Sequence, residues 1–214
     1  MKFASIVSGA AALLGCVLSL NAGAHALWLE SGTPANKLYF GEYAENLRET
    51  SPGRLDSIVE PEATIIDQAG TAKTISPSRE NTHFSLPVGA AVLVQARRQP
   101  IREPQGGAPA PVQRRFLYAR LGDGGSLPLD LKGHGNILRL TFMGEPVSKA
   151  EIVVIAPSGW EKHLRTDEKG EAYFSPPEPG LYVVEAKHEL NKPGEFEGKA
   201  YAIESHKVTL SLYK

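Results

Sequence analysis

Glycine and proline interrupt this chain at intervals too short for long helices, and that feature constrains its fold more than any other. The chain of 214 residues carries 21 Gly and 16 Pro, and the runs between them are short and rich in β-branched and aromatic residues. Runs of this kind, bounded by turn residues, form strands. The expected strands of the first half are Lys37 to Glu42, Ala63 to Ile66, Thr82 to Leu86, Ala90 to Ala96 and Arg115 to Arg120. Gln68-Ala69-Gly70-Thr71 and Pro87-Val88-Gly89 supply turns between them. Glu42 to Glu49 is the one segment with weak helical character. In the second half, Asn136 to Thr141, Glu151 to Ala156, Glu171 to Phe174, Leu181 to His188 and His206 to Leu212 are expected strands. Thr166-Asp167-Glu168-Lys169-Gly170 is a tight turn among them. The fold class expected is all-β, in two β-sandwich-like units of which the second is Ig- or transthyretin-like.

The amino terminus is a different kind of segment. Lys2 precedes an apolar stretch from Phe3 to Leu20, and Ala22-Gly23-Ala24 and Ala24-His25-Ala26 both fit the small-x-small rule for signal cleavage. Residues 1–24 are therefore expected to be a cleavable secretory signal, with the exported chain starting at His25 or at Leu27. Ser8, Gly9, Gly15 and Ser19 interrupt the stretch, which argues against a membrane anchor, so no membrane span is expected in the mature chain. The single cysteine, Cys16, follows Leu13-Leu14-Gly15 in a faint lipobox pattern, but the apolar run continues past it through Val17 to Leu20. Its place is inside the signal, which leaves the exported chain without a disulfide or a thiolate ligand.

About 190 residues then remain, enough for one large or two small domains. The expected division is 25–125 and 133–214, with Glu103 to Pro111 as a loop inside the first unit, too rich in Gly and Pro to pack a core. The formal net charge of −1 becomes −2 when Lys2 leaves. With no basic stripe, nucleic acid is not an expected partner. Enzyme signatures are missing from the sequence: it has no G-x-S-x-G, H-E-x-x-H or P-loop pattern and no cysteine nucleophile. Asp167 and Glu168 sit in a turn, where carboxylates serve backbone geometry. The chain is accordingly read as a non-enzyme.

Histidines carry the remaining chemistry. Tyr182, Val184, Ala186 and His188 share one strand face, as do His206, Val208, Leu210 and Leu212. If the two strands are antiparallel neighbours, His188 and His206 meet at one rim of the sandwich, where two imidazoles can hold a metal or simply be hydrogen-bonded side chains. Glu204 is the acidic neighbour to watch, ahead of Glu185, Glu189, Glu195 and Glu197. His83, His134 and His163 are expected at exposed strand or loop positions, and Trp28 and Trp160 in the core. Cleavage before His25 would add a terminal amine and imidazole to the ligand set, making His25, His188 and His206 the candidate metal ligands. Nitrogen and oxygen donors of this kind favour Cu(II) and Ni(II).

The run Gly144-Glu145-Pro146-Val147 to Ala150-Glu151-Ile152-Val153-Val154, with Thr166 to Gly170 and Gly180-Leu181-Tyr182, resembles the transthyretin-like or carboxypeptidase-regulatory-like β-sandwich. Adding His25 to Glu30, Tyr39-Phe40-Gly41-Glu42, Glu197 to Tyr201 and His206 to Leu210, the whole mature chain resembles the exported NikM-like family associated with nickel and cobalt uptake. That resemblance implies periplasmic binding of a divalent transition metal, Ni or Co, with a membrane transporter component as partner. The chain lacks the membrane helices of transporter subunits in that group, so the implied role is support of uptake or handling. Two other readings stay open: a non-metal interaction module of the periplasm, and a histidine-brace copper oxidase built on His25.

Overall fold

The computed structural model describes residues 25–101 and 111–214. The expected signal, Cys16 within it, and most of the Glu103 to Pro111 loop lie outside these residues. The described residues are all-β, 57% strand and 2% helix. Helix among the described residues is confined to one 3-10 turn, Arg54–Ser57, and no helix there is long and apolar enough to cross a membrane.

The strands of the described residues form three sheets. A first small sheet contains β1 (Ala26–Glu30), β2 (Ala35–Glu42), β3 (Leu47–Arg48), β6 (Ser78–Arg79) and β7 (Phe84–Pro87). A second contains β10 (Leu129–His134), β11 (Ile137–Phe142), β12 (Glu145–Pro146) and β15 (Glu171–Tyr173). Between them runs an eight-stranded sheet. From one edge to the other it is β14 (Glu161–Arg165), β13 (Glu151–Ile155), β16 (Leu181–Phe196), β17 (Lys199–Tyr213), β9 (Gln113–Leu121), β8 (Ala91–Ala96), β4 (Glu62–Ile66) and β5 (Ala72–Ile75). Its pairs are antiparallel except at the centre, where β17 lies parallel to β9 from Ile203↔Gln113 to Ser211↔Leu121. That pair joins the two halves of the chain in one sheet.

The small sheets cover opposite faces of the long one, and side-chain alternation sorts the residues between them. In β8, Val92, Val94 and Ala96 belong to one core with Leu27, Leu29 and Phe84, while Ala91 and Leu93 belong to another with Leu129, Leu131 and Leu140. In β9, Leu117 and Ala119 face the first core and Tyr118 the second. Strands buried on both faces lose the polar positions that ordinarily alternate with apolar ones, which explains the unbroken Ala91-Val92-Leu93-Val94 run. Trp28 is fully buried, in a third cluster with Tyr39 and Val183. Trp160 is partly buried against the second core.

Two turns use the same device. Asp67 Oδ1 accepts from the amides of Ala69 and Thr71, at 2.9 and 2.8 Å. Asp167 Oδ1 accepts from those of Lys169 and Glu171, at the same two distances. The carboxylate serves backbone geometry in each, as expected of an Asx turn.

Two expectations are corrected. Glu42 to Glu49 is not helical: the Asn46 amide bonds the Tyr43 carbonyl in a tight turn, Asn46 has φ of 51°, and β3 pairs back on β2. A left-handed residue cannot continue a helix, and the hairpin lets the Arg48 guanidinium lie over Tyr39 at 4.8 Å and Trp28 at 5.6 Å. Strand pairs within the second half are all antiparallel, and the parallel β9–β17 pair joins that half to the first. The last two strands also run further than expected, forming a hairpin to Phe196 and Lys199 around Glu197 and Gly198.

The crossing from the long sheet to the second small sheet is held by Arg120, fully buried at the end of β9. Its Nε and Nη2 donate to the two oxygens of Asp130 at 2.8 and 2.9 Å. Nη1 and Nη2 also donate to the carbonyls of Gly122, Gly124 and Gly125. The side chain thus neutralises a buried carboxylate and satisfies the loop carbonyls together. Arg120→Met removes both hydrogen bonds to Asp130 and leaves that buried carboxylate, among the described residues, with only the exposed Lys132 Nζ, 3.9 Å away, as a charge partner, so it should cost about 3 kcal/mol in urea unfolding. Arg120→Met with Asp130→Leu should recover part of that loss.

Candidate functional site

The β16–β17 hairpin brings the two expected rim histidines into direct register. Tyr182, Val184 and Ala186 of β16 face the second core, as do Val208 and Leu210 of β17. Continuing the same faces by one pleat, His188 lies directly opposite His206. The expected meeting of the two histidines is thus what the strand pairing produces.

Their surroundings differ. His206 is 3% exposed, stacked on Phe116 at a centroid distance of 4.5 Å and met by the edge of Phe142 at 5.0 Å. His188 is half-buried, with Phe142 at 4.8 Å. Burial pushes the His206 imidazole down to about 4, helped by the neighbouring His188 and opposed by Glu204. Burial also lowers His188.

The His206 ring is held at one nitrogen only. Nδ1 lies 3.0 Å from the Tyr118 hydroxyl. Among the described residues Nε2 is buried without a hydrogen-bond partner, and Glu204 Oε2 lies 3.7 Å from it. Glu204, 6% exposed, accepts from Tyr201 Oη at 3.2 Å through Oε1 and from Lys192 Nζ at 3.2 Å through Oε2. When the ring proton is on Nδ1 and is donated to the Tyr118 oxygen, Nε2 presents a lone pair toward Glu204.

His25 is elsewhere, and its expected place beside His188 and His206 is corrected. Strand β1 lies on the other face of the long sheet, where Thr209 Oγ1 donates to the Leu27 carbonyl at 2.6 Å and Ser211 Oγ donates to that of Leu29. Thr209 and Ser211 point opposite to Val208 and Leu210 because strand side chains alternate. His25 therefore shares a side of the sheet with Thr209 and not with His206. Its Nδ1 is 2.8 Å from Glu42 Oε1 and its Nε2 is 2.5 Å from Glu49 Oε1, with Arg54 Nη1 3.3 Å from Nε2.

The other histidines are separate. His163 is exposed, and its hydrogen bond to Glu151 raises its pKa. His83 lies against Tyr39 at 5.6 Å, its pKa lowered by burial and then by Lys37. His134 is exposed at the end of β10. Among the described residues no three His, Cys, Asp or Glu side chains stand close enough together to hold a metal as they are. Sequence reasoning singled out Glu204 but missed Tyr118, Tyr201 and Lys192. Tyr118 comes from β9, and nothing local to His206 indicates that strand as its neighbour.

A depressed histidine pKa makes stability depend on pH in a defined direction. Between about 6.5 and about 4 the unfolded chain binds a proton at His206 that the folded chain does not. The stability from keeping this ring neutral is complete above 6.5 and is lost as pH falls toward 4. Allowing for residual solvent screening, it is worth on the order of 2 kcal/mol. Urea unfolding at a series of pH values should show a decline over that window in the wild type and a flatter profile in His206→Phe.

Comparison with protein-family models, with curated proteins and with solved structures returns no match.

Proposed function

We propose that this is an exported protein that binds a divalent transition metal, Ni or Co by resemblance and Cu by its nitrogen donors, for uptake or handling in the periplasm. Its role is binding, not catalysis, and a membrane transporter component is its proposed partner. The observation that carries the reading is the partnerless His206 Nε2, buried beside Glu204 and opposite His188. A buried nitrogen without a partner costs free energy that a metal bond would repay. The Tyr118 hydroxyl on Nδ1 is the kind of outer contact that fixes a ligating imidazole.

The proposed ligands are His188 and His206, with Glu204 recruited on binding and water completing the shell. Two tetrahedral ligands at about 2.0 Å lie about 3.3 Å apart. Glu204 Oε2, now 3.7 Å from His206 Nε2, has a short distance to travel. The ion would replace Lys192 as its charge partner. Lys192 is largely exposed, so it can swing into water and open the way in.

Co(II) titration followed by visible absorption tests the proposal, because imidazole and carboxylate ligands in a distorted tetrahedron give intense bands. His188→Ala and His206→Ala should each weaken binding by about tenfold or more, and Glu204→Gln by less. Equal Co(II) affinity and identical spectra for the wild type and both histidine variants would refute the site.

A further inference from the structure

We infer that a chain cut between Ala24 and His25 forms a second metal site on the opposite face of the long sheet, where the His25 amine, His25 Nδ1 and Glu42 bind Cu(II). This rests on the signal cleavage proposed above but not on the His188–His206 site, with which it shares no residue.

The amine and Nδ1 of one histidine close a six-membered ring on a metal, so any chain beginning with histidine carries two nitrogens fixed as neighbouring ligands. Here the hairpin supplies a third donor. β1 and β2 pair from Ala26↔Gly41 to Glu30↔Lys37, and one step beyond Ala26 and Gly41 lie His25 and Glu42. Glu42 Oε1 is 2.8 Å from Nδ1. Two ligands at about 2.0 Å from one ion and about 2.8 Å apart subtend about 90° at it, the angle between neighbours in the square-planar set that Cu(II) prefers. The hydrogen-bond spacing now present is therefore also a coordination spacing, and copper replaces the proton without moving either residue far.

The other ring nitrogen has the support expected of a ligating imidazole. Nε2 meets Glu49 Oε1 at 2.5 Å, and a carboxylate on the distal nitrogen orients the ring. Arg54 Nη1 is 3.7 Å from the same Glu49 oxygen and holds that carboxylate's charge in place. Phe40 covers the ring at 5.3 Å. His25 and Glu49 side chains are 14% and 15% exposed and Glu42 is 24% exposed, so the site is partly sheltered while its third donor stays open to solvent. The ligands are two nitrogens and an oxygen with no sulfur, which suits Cu(II) better than Cu(I).

The experiment uses exported protein whose intact mass establishes its first residue, titrated with Cu(II) and followed by electron paramagnetic resonance. A mass beginning at His25, and a copper signal with nitrogen coupling that persists in the His188→Ala/His206→Ala double variant, are the expected results. Glu42→Gln should weaken that copper on the order of tenfold or more, and Glu49→Gln about tenfold with the ligand atoms unchanged. A wild-type chain with one alanine added before His25 should lose this copper while keeping Co(II) binding at His188 and His206. The added-alanine comparison does not depend on the double variant folding. A mass beginning at Leu27, or equal copper affinity with and without the added alanine, would overturn the inference. Loss of Co(II) binding alone would count only against the other site.

Discussion

The parallel pairing of β17 with β9 is the contact on which the arrangement depends. It puts the last strand against a strand completed before Gly122, and between them the chain leaves the long sheet twice, as β10 to β12 and as β15, before β16 returns beside β17. Because this pair sits at the middle of an eight-stranded sheet, both of its faces are covered, one by each small sheet. Residues of β17 must therefore be compatible with burial whichever way they point, and burial is where polar side chains become costly.

The polar groups at this centre show how that cost is met. Thr209 and Ser211 give their hydroxyl protons to carbonyls of β1, whose own pairing with β2 leaves those oxygens within reach. Arg120 distributes its donors over Asp130 and three loop carbonyls. Among these satisfied groups, His206 stands out because one ring nitrogen is accounted for and the other is not. An aromatic wall of Phe116 and Phe142 keeps water from solving the problem, which is also why its proton is lost so readily. A neutral, oriented and unsatisfied imidazole is a poor structural element and a good ligand.

The same sheet separates two chemistries. On one face, His206 lies among aromatics beside a single buried carboxylate. On the other, His25 is held between two carboxylates with an arginine behind them. The long sheet keeps the two environments apart, so each can be altered without touching the other's side chains.

Much of this was legible in the residues alone, and the reason is that strand periodicity and turn chemistry are local. The Asp67 and Asp167 turns, the short strands between Gly and Pro, and the burial of Trp28 all follow from neighbours in sequence. Even the approach of His188 to His206 is local in this sense, because a hairpin fixes which residues of its two strands face one another. What the tertiary structure decided are the contacts made across the chain. Glu42 to Glu49 has helix-forming residues, but pairing with β2 and the stacking of Arg48 on Tyr39 and Trp28 outweigh that weak preference. The side of the long sheet to which β1 docks removes His25 from His206, and the parallel strand β9 brings Tyr118 to it. Alternation in sequence tells which residues share a face; only the packing of whole sheets tells which faces meet.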